Sequence, residues 1–124
     1  MVNNMESQVP ESLRITKDTL VSLDMSTGLG FYPRDDYLLV EISDKIRLYD
    51  TRKLIAQYSK DHSKNPIAIR GIAGGLTAAI IMTHLIITEE EDLYSDRLEA
   101  QTFSVQDNKS NKPKTGIQLI IFPK

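Results

Sequence analysis

The residues of this sequence best placed to do chemistry are cations. From Lys45 to Arg70 the chain carries Lys45, Arg47, Arg52, Lys53, Lys60, Lys64 and Arg70 against only Asp50 and Asp61. A second basic run, Lys109, Lys112 and Lys114, follows in "DNKSNKPKT". Such side chains bind phosphate groups, and a set gathered on one surface gives an affinity that falls as salt rises. Phe31, Tyr32 and Tyr49 stand near them and offer flat rings on which bases can stack. The candidate nucleic-acid-binding set is therefore Arg47, Arg52, Lys53, Arg70, Lys109, Lys112, Lys114, Tyr49 and Tyr32.

Catalytic groupings are missing by comparison. The chain has two histidines and no cysteine, which excludes disulfides, thiolate metal sites and a cysteine nucleophile. His62, among Lys60, Asp61 and Lys64, fits a solvated helix end, and His84, in an apolar run, reads as a core or interface side chain. Glu89, Glu90, Glu91 and Asp92 are consecutive, so on a helix they diverge instead of converging on a cation. No serine stands in a G-x-S-x-G elbow. "RGIAGG", Arg70 to Gly75, sets an arginine beside glycine amides. It lacks the Lys-Ser/Thr pair of a phosphate loop and the spacing of a dinucleotide fingerprint. Anion binding there also needs a helix to begin after the glycines. No enzyme, cofactor or metal is expected.

These residues must be positioned by a single small domain. The 124 residues, 40% hydrophobic and 26% charged, suffice for one core. The net charge of −2 hides alternating blocks: acids lead before Lys45 and again from Glu89 to Asp107. The basic blocks make one side of a two-faced surface unless neighbouring blocks pair across the fold. "MVNNMESQVPESLRITKD" shows neither a basic nor an apolar leader region, so the expected location is cytoplasmic.

Along the chain, residues 1–12 are polar and aperiodic and read as a mobile tail, with one α+β domain over 13–124. Leu20 to Met25, "YLLVEIS" and "KIRLYD" read as strands, the last two joined by a turn at Ser43-Asp44. "DTRKLIAQYSKDHSKNP" is the clearest helix, about 51–63, with Leu54, Ile55 and Tyr58 as its apolar stripe and Asn65-Pro66 as its stop. "EAQTFSVQ" and "GIQLIIF" form a last hairpin around a polar loop.

The uncharged stretch Gly71–Thr88 decides the architecture. Its 18 residues reach the lower limit of a membrane span, but its threonines, glycines and mid-chain position argue against one. Ile80, Ile81, Thr83, Ile86 and Ile87 are β-branched. Thr88 and Glu91 match a capping box that would open a helix over about 89–98. The stretch is therefore expected to be a hairpin turning at Gly74-Gly75, with a buried helix as the alternative.

The resulting expectation is an α+β fold: a small mixed or antiparallel sheet, or partly closed barrel, with two short helices at about 51–63 and 89–98. The expected function is a non-enzymatic regulatory module binding RNA or other nucleic acid through a basic surface, with RNA or single-stranded nucleic acid as the expected partner. The alternative is a homo-oligomer or protein-interaction subunit using apolar strand surface, with Ile86 and Ile120 as contact residues. No membrane partner is expected.

Overall fold

The glycines at 74 and 75 open a helix. In a computed structural model, described over residues 9–16, 28–90, 92–106 and 113–124, the chain forms five strands and two α-helices. These are β1 Leu29–Pro33, β2 Leu38–Ile42, α1 Leu48–Asp61, β3 Ile67–Ile72, α2 Leu76–Glu89, β4 Tyr94–Gln106 and β5 Pro113–Pro123. The fold is α+β, as the sequence predicts. The sheet is mixed and open, in the order β1-β2-β3-β5-β4, with β2 and β3 parallel and the other pairs antiparallel. It is no barrel, because β1 and β4 are separate edges. A parallel pair needs a crossover, and α1 supplies it between β2 and β3.

Two helix assignments change. "KIRLYD" is no strand: residues 45–47 are a loop and Leu48 already begins α1. The second helix occupies 76–89, and the span expected to be helical from 94 onward is strand. Leu76, Ala78, Ala79, Met82 and Leu85 favour a helix, and burial against the sheet outweighs the weaker preference of the isoleucines. Thr88 is no N-cap: its hydroxyl donates back to the His84 carbonyl, 2.8 Å away, in the last turn of α2. Glu91 and Leu20 to Met25 lie outside the described residues.

The glycines permit close approach instead of a hairpin turn. A Cβ on Gly75 would sit 2.1 Å from the Ile42 carbonyl oxygen, and one on Gly71 2.7 Å from the Ala79 Cβ. The start of α2 is thereby pressed onto the ends of β2 and β3. The one positive φ among described non-glycine residues falls on Ala73, at 53°.

Alternation along the strands makes two cores. Leu38, Val40 and Ile42 of β2, Ile67 and Ile69 of β3 and Ile121 of β5 face the helices. They meet Ile55 and Tyr58 of α1 and Ala79, Met82 and Ile86 of α2. On the other face Ala68, Ile120 and Phe122 meet Leu13, which is fully buried. Leu13 belongs to a strap, residues 9–16, that holds a 3-10 turn at Glu11–Leu13. Val9, expected within the tail, packs against this second core. Gln118 Nε2 donates to the Leu13 carbonyl at 2.5 Å and Gln101 Nε2 to that of Ile15 at 3.3 Å. Burying one leucine contributes about 1.5–3 kcal/mol, which is why this polar segment is held.

Candidate functional site

The register places three chain crossings at one end of the sheet. Ile42 pairs with Gly71, so the carboxyl ends of β2 and β3 coincide, and the loop 43–47 lies beside the turn Ala73–Gly75. Both helices begin there, since α1 and α2 follow these two connections. β3 stops at Ile72, opposite Gly116 of β5, whereas β4 and β5 stay paired from Phe103–Gly116 out to Gln106–Pro113. The last hairpin therefore runs on past the sheet as an arm at this same end. Phe103 packs over Gly116 at its base, where a Cβ would meet the ring at 2.5 Å.

The loop is held on both sides. Ser43 N donates to the Gly28 carbonyl at 2.9 Å, and Asp44 Oδ1 accepts from Lys45 N at 2.7 Å. Gly74 lies against the Ser43 carbonyl. Lys45 and Arg47 project into solvent from it, and the Arg47 side chain is 90% exposed. Its one ion pair is long: Nη1 lies 3.9 Å from Asp50 Oδ2. At the second residue of α1, Tyr49 is 66% exposed, and Lys53 Nζ, one turn on, lies 4.5 Å from its ring centre. Neither Arg47 nor Gly75, the N-cap residues, caps its helix with a side chain. The dipoles of α1 and α2 add positive potential at this end, with Leu76 N at the start of α2 already donating to the Ala73 carbonyl.

No family model and no curated protein matches the chain. Among solved structures it is similar to Alba from Thermoplasma volcanium, at 11% sequence identity and a TM-score of 0.48. That alignment covers 66% of this chain and 98% of that one.

Of the candidate set, Arg47, Tyr49 and Lys53 share this surface, and Lys114 is exposed on the arm. Lys109 and Lys112 lie outside the described residues. Three candidates are placed elsewhere. Arg70 is 3% exposed on the strap-covered face, its Nη1 3.6 Å from Glu41 Oε2 and its Nε donating to Gln118 Oε1 at 2.5 Å. Burial pushes its guanidinium pKa down, and the Glu41 carboxylate opposes that shift. Arg52 turns inward to the end of α2, where it pairs with Glu89 and lies 3.9 Å from Glu90. It neutralises acids that the dipole disfavours at a helix C-terminus. Tyr32 lies back over Gly30 on the strap side of β1, with Arg34 5.8 Å from its ring, on the opposite face from Tyr49. Phe31 packs against the helix-side core.

The histidines build no reaction centre. His62 stacks on Tyr58 at 4.4 Å, and His84 is exposed on the outer side of α2. Among the described residues no group of three or more acids and histidines could hold a metal. No described helix is long and apolar enough to cross a membrane.

Two parts of the surface escape a sequence reading. Lys45 falls in a segment that alternates like a strand. Leu54 lies 41% exposed on α1, off its buried face of Thr51, Ile55, Tyr58 and Ser59, although its spacing fits the apolar stripe.

Proposed function

We propose that this protein is a non-enzymatic nucleic-acid-binding regulatory module. It contacts phosphates at the end of the sheet where α1 and α2 begin and the β4–β5 arm projects. The observation that carries this reading is the convergence of Lys45, Arg47, Lys53 and Lys114 with two helix N-termini at one end of the fold. Ligands of open sheets with parallel strands gather at the carboxyl ends of those strands, where helix amides point outward. Lys109 and Lys112 remain candidates for the same contact by sequence, and Tyr49 supplies a stacking ring. Arg52 and Arg70 serve the fold in this reading.

The test is a titration of labelled RNA and DNA at several salt concentrations with the wild type and with a Lys45→Glu, Arg47→Glu, Lys53→Glu variant. Affinity should rise as salt falls. The variant should lose about 0.7 of slope per lost single-strand phosphate contact, with its thermal midpoint unchanged. Absence of binding at low salt overturns the reading.

A second reading rests on one different observation. Ile80 and Ile81, 51% and 40% exposed, share the outer side of α2 with Thr77, His84 and Thr88, which carry no formal charge. Such a face suits self-association or a protein partner. Ile86 and Ile120, expected to contact a partner, are instead buried in the protein's own cores. Sedimentation of Ile80→Lys beside the wild type tests this reading, which requires the wild type to be larger.

A further inference from the structure

A cleft of about 490 Å³ lies against the first two turns of α1, within the basic surface just described. Its floor is mostly apolar: Leu29 of β1, Ile46 of the loop and Leu54 of α1, with the buried Thr51, whose hydroxyl donates to the Arg47 carbonyl. Lys45 and Arg47 stand on its rim with Asp50. The volume falls within the range of about 300–1,000 Å³ that suits small organic groups.

We propose that this cleft takes an unpaired nucleobase, so that the surface selects single-stranded over duplex nucleic acid. The inference rests on the nucleic-acid reading and deepens it. A duplex presents phosphates and groove edges while its base faces remain stacked, so it would use Lys45 and Arg47 and leave the apolar floor empty. An unpaired base can turn out and lay its face against Leu54 and Ile46 while its own phosphate stays at the cationic rim. Asp50, on the same rim 3.9 Å from Arg47, offers its carboxylate to the amino or imino edge of a base. The cations and the apolar floor thus sort the two halves of a nucleotide, phosphate outward and base inward. Tyr49, exposed on the same end of α1, offers a platform to a neighbouring base.

The experiment is fluorescence anisotropy at one low salt concentration, using the full chain, a labelled single-stranded oligonucleotide and its annealed duplex. The single strand should bind about tenfold tighter, the scale of one stacked base. Leu54→Gln, which removes the apolar surface without adding charge, should lower single-strand affinity to the duplex level and leave duplex affinity unchanged, while Leu54→Phe should keep the preference. Should Leu54→Gln fail to fold by circular dichroism, Leu54→Thr reads the same loss. Equal affinity for both forms overturns the inference and leaves the basic surface standing, as does a single-strand preference indifferent to Leu54. No binding of either form overturns both proposals.

Discussion

Arg70 lies directly opposite Glu41 in the parallel pairing of β2 and β3, and the two buried side chains form an ion pair beneath the N-terminal strap. Removing one partner strands the other charge in the interior, which typically costs about 3–5 kcal/mol, whereas replacing both with apolar residues is often neutral. Arg70→Met should therefore lower the thermal midpoint by more than about 10 °C, and Arg70→Met with Glu41→Leu should recover most of that loss. Thermal denaturation of the three proteins measures this. A surface role for Arg70 predicts the reverse, an unchanged midpoint.

The two adjacent glycines before α2 should behave differently. Gly75→Ala drives a methyl into the Ile42 carbonyl and should cost at least about 1–3 kcal/mol, the usual scale of overpacking. Gly74 is exposed, and its Cβ would lie 3.3 Å from the Ser43 carbonyl oxygen, a contact that a shift of a few tenths of an ångström relieves, so Gly74→Ala should cost less than about 1 kcal/mol. Urea titration separates the two.

Leu13→Ala should cost about 2–5 kcal/mol, as for any fully buried leucine. It should also raise hydrogen exchange at β3 and β5 beneath the strap more than in the helices. Exchange mass spectrometry reads the difference. Uniform loss of protection would show that the strap is not a separate cover.

Alkaline stability should depend on Tyr94. Burial pushes its phenol up, against the opposing effect of the Ser59 hydrogen bond. Ser59 donates to the Ile55 carbonyl at 3.0 Å, so Tyr94 is the donor to Ser59. The neutral phenol is favoured in the folded state, so above about pH 10 the unfolded state binds fewer protons and stability falls as pH rises. Tyr94→Phe should flatten that fall between neutral pH and about pH 11, while the raised phenol of Tyr58 leaves part of it. Chemical denaturation at successive pH values gives both slopes.

What the sequence discloses is the local pattern. The alternation of Leu38, Val40 and Ile42 and the β-character of the last two strands are visible directly, as is a helix through Ile55 and Tyr58. What escapes it is set by partners far along the chain. Arg70, Glu41 and Gln118 occupy alternate positions that resemble a solvent face, and only the strap buries them. In α2 the isoleucines favour a strand locally, and the close seats of Gly71 against Ala79 and of Gly75 against Ile42 become evident only once β2 and β3 are side by side. The basic surface is partly legible because Arg47, Tyr49 and Lys53 are near neighbours. Its cleft is not, since Leu29 joins it from another strand.

The order of synthesis gives the sheet a further property. β5 is synthesised after both β3 and β4, yet it lies between them and holds Leu13 from 105 residues away through Gln118. Until it emerges, β3 has no neighbour on that side, β4 has no partner among the described strands, and the strap lacks Ile120, Phe122 and the Gln118 hydrogen bond. Pairings this distant form slowly and leave apolar edges open meanwhile. The sheet therefore stays incomplete until β5 is available, and a product ending before Pro113 would lack the strand next to its central one.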